Sequence, residues 1–169
     1  NLSAESLSDE GLGDRVRAAL ERWQVQPARV EIEIPEGALM RDVDASARAL
    51  APLAELGVRI SIDDFGTGYS SLQYLSRLPV DSLKVDRSFI REIPSSSSGM
   101  AITAAIIAMA HKLKLRVVAE GVENVEQMVF LQQNDCDLLQ GYLFSPPLPL
   151  AELHSWLSSG RLRQRYAPV

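Results

Sequence analysis

The chain has 169 residues, with 17 Lys and Arg against 22 Asp and Glu and a formal net charge of -5. That length is enough for one domain with a sizeable core, and the charge excludes the basic field that nonspecific nucleic-acid binding needs, so no DNA or RNA polymer is expected as a partner. The one cysteine, Cys136, excludes an intrachain disulfide, fits a reducing compartment and reads as a buried structural thiol. The apolar stretches are too short to span a bilayer, and the first residues do not resemble a secretion signal.

In chain order, a helix is expected over 9–24, then the β-like run Val30-Glu-Ile-Glu-Ile34, a helix over 40–56 and a second strand, Val58-Arg-Ile-Ser-Ile62. A short helix over 70–77 leads to Ser82-Leu-Lys-Val-Asp86. Pro94-Ser-Ser-Ser-Ser-Gly99 reads as a loop whose serines start a helix over 99–114. A fourth strand, Leu115-Arg-Val-Val-Ala-Glu120, a helix over 123–133, a fifth strand, Asp137-Leu-Leu-Gln-Gly141, and a helix over 150–158 complete the pattern. Strand–helix alternation at this spacing predicts a parallel α/β architecture.

Side chains two apart on a strand share a face. Glu31 and Glu33 therefore oppose Val30, Ile32 and Ile34, and Ser61 and Asp63 oppose Ile60 and Ile62. Lys84 pairs with Asp86, Val118 with Glu120, and Leu138 with Gln140 on the polar side. A doubly wound sheet is apolar on both faces of its central strands. Polar residues donated to one side, at the C-terminal ends, fit the interior mouth of a barrel better.

The run Ile60-Ser-Ile-Asp-Asp-Phe-Gly-Thr-Gly-Tyr-Ser-Ser71 ends a β-branched stretch in two carboxylates and enters a glycine loop. With Glu33 and Glu120 it places four carboxylates at strand ends, a donor set suited to hard divalent cations, and Asp63 could bridge two of them. The alternative is a set of unrelated loop acids. Lys84 is read either as a residue that orients metal-bound water or as the partner of Asp86 in a structural salt bridge. The glycine loop lacks the Gly-Lys-Ser/Thr ending of a phosphate-binding loop. Glu36 could accept hydrogen bonds from it or stand as an early helical glutamate. No His/Cys spacing suggests zinc. Ile102, Ile106 and Met109 are read as core, and Trp23 and Trp156 as packing residues.

Six segments then carry a resemblance. They are Asn1-Leu-Ser3, Glu33-Ile-Pro-Glu36, Asp63-Asp-Phe-Gly-Thr-Gly-Tyr-Ser-Ser71, Leu83-Lys-Val-Asp-Arg-Ser-Phe89, Val118-Ala-Glu-Gly-Val-Glu123 and Gln140-Gly-Tyr-Leu-Phe144. In this order they closely resemble the EAL family, the cyclic di-GMP phosphodiesterase domain. The resemblance implies a modified TIM (β/α)8 barrel with its site at the C-terminal mouth, here as the C-terminal portion of the domain over 1–169. It matches Asn1, Glu33, Asp63, Asp64 and Glu120 to ligands of two ions, Mg2+ or Mn2+, with Asp63 shared. Lys84 matches the residue that contacts the nucleophilic water, with Asp86 nearby. Glu123 and Gln140 match positions that support the metal ligands or contact substrate. Glu36 matches the anchor of the loop Phe65, Gly66, Thr67, Gly68, Tyr69, Ser70 and Ser71, which in the family couples dimerisation to metal and substrate binding.

The implied reaction is hydrolysis of cyclic di-GMP to linear pGpG in the bacterial cytoplasm. The implied assembly is a homodimer, in a parent chain that can carry a sensory or GGDEF-type domain and an inner-membrane anchor. The alternatives are a catalytically inactive cyclic di-GMP receptor and a regulatory protein-interaction domain. Two departures stand out. The family's Glu-Ala-Leu, with its metal-binding Glu, is expected upstream of Asn1 together with the first two barrel strands. Pro35 stands where the family has Thr, and a residue without a backbone donor is expected to alter the link from Glu33 to Glu36.

Overall fold

Alternating apolar strands and capped helices build a single parallel sheet. The computed structural model describes residues 1–68 and 72–159. Tyr69, Ser70 and Ser71 of the expected loop lie outside them. The elements run α1 (Ala4–Leu7), α2 (Leu12–Trp23), a 3-10 turn (Pro27–Arg29), β1 (Glu31–Pro35), α3 (Glu36–Leu39), α4 (Val43–Glu55), β2 (Arg59–Phe65) and α5 (Leu72–Leu75). They continue with β3 (Ser82–Val85), α6 (Arg87–Arg91), α7 (Ser97–Lys112), β4 (Arg116–Glu120), α8 (Val125–Gln133), β5 (Leu138–Gln140) and α9 (Leu150–Ser158). The strands lie side by side in chain order, β1-β2-β3-β4-β5. Every neighbouring pair is parallel, and the result is an incomplete α/β barrel whose strand order begins with β1 and ends with β5.

The outer face carries Ile32, Ile34, Ile60, Ile62, Leu83, Val85, Val117 and Ala119, all buried. Each fully buried Ile or Leu contributes about 1.5–3 kcal/mol through the apolar area it removes from water. Side-chain caps set where the helices start. Asp42 accepts the Ala45 N–H at 2.9 Å ahead of α4, so the helix begins at Val43 rather than at 40. Ser96 accepts the Gly99 N–H at 3.0 Å and starts α7 two residues before its expected position. Asn124 and Gln127 form a reciprocal capping box at α8.

At the N-terminal ends of the strands, carboxylates satisfy backbone donors. Asp81 Oδ2 accepts the Ile60 N–H at 2.8 Å. Asp137 Oδ2 accepts the Val117 N–H at 2.7 Å and lies 2.9 Å from His111 Nε2 at the end of α7. Some expectations differ from the structure. Trp23 is 70% exposed, lying beside the Arg22 guanidinium at the end of α2, and Ile102 is 48% exposed, so neither belongs to the core. Helical spacing defined their face but not whether anything covers it. Cys136 is half-buried, its thiol directed at the Val117 and Leu138 carbonyls. Among the described residues no helix is long and apolar enough to cross a membrane.

Candidate metal centre and active site

Three adjacent strands and the one beyond them bring four side chains together at the C-terminal end of the sheet. Lys84 on β3 has a side chain only 7% exposed, and its Nζ lies 2.8 Å from Glu33 Oε1 on β1, 3.1 Å from Asp63 Oδ1 on β2 and 2.8 Å from Glu120 Oε1 on β4. Burial alone would push the ammonium toward neutrality. Glu120, Glu33 and Asp63 outweigh it, and the Lys84 pKa is raised. One ammonium facing three carboxylates leaves an excess of negative charge.

Asp64 joins this group through a backbone irregularity. The β2–β3 register shifts between Ile62 and Phe65, and Asp64 takes the left-handed φ of 54°, a conformation Asp adopts more readily than most residues. Strict alternation would send Asp64 to the face opposite Asp63. The bulge re-aims it, and ligand oxygens of Asp63, Asp64 and Glu120 lie within 4.8 Å of one another. Strand β2 therefore runs three residues beyond its expected end, because the bulge lets pairing continue to Phe65.

The electrostatics of these acids is unfavourable by design of the site. Burial, then the charges of Asp63 and Asp86, raise the Asp64 pKa. Burial also raises that of Glu120, against the lowering effect of Lys84. A divalent cation relieves this crowding. The donors are hard oxygens, which suit Mg2+, Mn2+ or Ca2+ rather than soft-ligand metals, so the residues present fit such an ion.

The remaining expected site residues take definite places. Asp86 makes no ion pair with Lys84. It caps α6, accepting the Ser88 N–H at 3.0 Å and the Ser88 hydroxyl at 2.5 Å. Burial would raise its pKa, but these bonds hold it below the usual carboxylate range. Asn1 is exposed, and the adjacent Leu2 N–H donates to the Glu33 carbonyl at 2.8 Å, which sets the N-terminal segment beside β1. Gln140 is the register partner of Glu120. Glu123 is exposed, its N–H donating to Gln127 Oε1 at 2.7 Å.

Glu36 is 1% exposed, and its Oε2 accepts the Gly66 N–H at 2.8 Å. The contact forms with Pro35 in place, because Pro35 keeps an extended backbone (φ -56°, ψ 136°) that any strand end tolerates and serves as the N-cap of α3. Phe65 turns into the core. Gly66 has φ 98°, and a Cβ there would lie 2.6 Å from the Phe89 ring. Thr67 Oγ1 donates to the Asp64 carbonyl at 2.9 Å. Gly68 lies over Glu36, where a Cβ would stand 3.4 Å from Oε1.

One positioning residue, Gln127, was not singled out from the sequence. Gln127, 3% exposed, uses Oε1 to hold the Glu123 and Asn124 N–H groups and Nε2 to reach the Ile90 carbonyl at 3.1 Å, fastening the loop after Glu120 to α6. The Asn124-Val-Glu-Gln127 spacing is the signal that marks it. Ser61, fully buried on the inner face as the register partner of Glu33, has a hydroxyl with no hydrogen-bond partner among the described residues.

The model of one domain family, described as EAL domain, matches residues 1–147. The chain belongs to the EAL domain family. It is 56% identical over 161 residues to the cyclic di-GMP phosphodiesterase NbdA of Pseudomonas aeruginosa, an alignment covering 95% of this chain and 21% of that protein. A solved complex of the P. aeruginosa MucR phosphodiesterase with c-di-GMP superposes at a TM-score of 0.87 and 49% identity, over 90% of this chain and 62% of that one. Klebsiella pneumoniae BlrP1, solved as a calcium/c-di-GMP complex, superposes at 0.81 and 36% identity, over 87% of this EAL chain and 38% of that one. The EAL chain spans about a fifth of the length of the curated relatives it matches.

Proposed function

We propose that the protein hydrolyses cyclic di-GMP to linear pGpG in bacterial second-messenger signalling, using two divalent ions, Mg2+ or Mn2+. The reading rests on the convergence of Asp63, Asp64 and Glu120 around the buried Lys84. Asn1, Glu33, Asp63, Asp64 and Glu120 would hold the ions, with Asp63 shared. Bound there, the ions supply Lewis acidity toward phosphate and water.

The chain's own residues supply the rest. Lys84 brings fixed positive charge and hydrogen-bond donors to the place where charge develops on the phosphate, and its donors orient the attacking water. The new P–O bond forms to that water, the P–O3′ bond breaks, and a proton goes to the departing 3′ oxygen. Glu36 sets the loop through Gly66, and Gln127 fixes the backbone from which Glu123 faces solvent at the mouth. Asp86 acts on Asp64 through its charge rather than by contact. Glu123 and Gln140 border the mouth where the nucleotide sits.

A homodimer and a sensory or GGDEF-type domain in the parent chain are part of the proposal. The relative MucR, named a bifunctional diguanylate cyclase/cyclic di-GMP phosphodiesterase, supports the second. A cytoplasmic site agrees with the unpaired Cys136. The test is chromatography of the product. Full-length protein with Mn2+ converts cyclic di-GMP to pGpG, and Asp63→Ala abolishes turnover. Tight binding without turnover in both Mg2+ and Mn2+ would make the domain a receptor instead.

A further inference from the structure

Lys84 and a divalent cation draw on the same carboxylates. The ammonium contacts Glu120 and Asp63, two of the three acids whose oxygens converge, and adds Glu33 from the far strand. It cannot move far away. All four residues of β3 are buried, so the lysine charge stays close to any incoming ion. At 7% exposure the side chain has little water to screen that charge.

We propose that Lys84 is the built-in counter-ion of this site: each divalent ion that binds has to displace its ammonium from Asp63 and Glu120. The inference rests on the metal reading and adds a competition that sets metal affinity.

The sign of the effect follows from what holds the acids in place. Asp63 and Glu120 sit on strands that both pair with β3, so the sheet keeps them close without help from the lysine. Removing the charge therefore relieves repulsion of the metal more than it scatters the ligands.

Calorimetric titration of Mn2+ into the full-length protein, its Lys84→Gln and Lys84→Met variants and the charge-retaining Lys84→Arg variant tests this. Lys84→Gln is expected to bind Mn2+ at least about tenfold more tightly than wild type, with a larger Mn2+-induced rise in melting temperature, and Lys84→Arg to stay near wild type. A neutral variant that unfolds without metal and folds with Mn2+ also supports the proposal, since the ion then supplies the missing charge. Equal or weaker Mn2+ binding by Lys84→Gln overturns it while leaving the metal site intact. Failure of both neutral variants to fold with or without Mn2+ overturns it too. Absence of Mn2+ binding in wild type and variants overturns the proposal and the metal site together.

Discussion

Gly66 beside the site and Cys136 at the opposite end of the sheet show how far single residues are constrained. At Gly66 the backbone is left-handed and an added methyl would meet the Phe89 ring, so both strain and overlap oppose any side chain. Gly66→Ala is expected to lower unfolding free energy by roughly 1–3 kcal/mol in urea denaturation. Gly37 makes a sharp comparison, because a Cβ there has nothing within 4 Å, and Gly37→Ala should leave stability unchanged or raise it slightly. Equal effects at the two positions would remove the steric argument. Cys136 poses a different constraint. Burial pushes its thiol up to about 11, so at pH 8 little thiolate is present. Alkylation of the native protein should be on the order of a hundredfold slower than in urea; a native rate near the unfolded one would show an open thiol.

At the scale of elements, the sheet is clamped at one end and chemically equipped at the other. Asp137 joins the start of β5 to the start of β4 and, through His111, to the end of α7. Burial works against the Asp137 carboxylate, but the Val117 N–H and His111 hold its pKa below the ordinary 3.8. A depressed folded-state pKa contributes stability that is present above the unfolded value and disappears as pH falls through the folded one. Wild type should therefore exceed Asp137→Asn in denaturation midpoint at pH 6, and the gap should close as pH drops below about 3.8. A gap constant from pH 6 to pH 2 would mean that the carboxylate charge plays no part.

For the whole molecule, the parallel architecture and the polar inner face were legible because strands alternate with helices along the chain and most strands alternate apolar with polar residues. The position of Asp64 was not legible from alternation, since a register shift alters parity locally and no residue type announces it. Lys84 was legible as an inward lysine, but its partners were not. Sequence placed Asp86 two residues away on the same face, whereas the sheet brings Glu33, Asp63 and Glu120 from three other strands. The single-turn helices α1, α3 and α6 also escaped, because four or five residues are too few for helical periodicity to declare itself.

The carboxylates of Asp81 and Asp137, which hold strands together, lie at the opposite end of the sheet from those of Asp63, Asp64 and Glu120. Architecture and chemistry therefore occupy separate addresses in the sequence. Asn1, Asp64, Glu123 and Gln140 are all solvent-facing at the mouth, so inheritance or design can vary them together while the floor goes on specifying the same scaffold. A domain laid out this way can change what its mouth does without first having to learn a new fold.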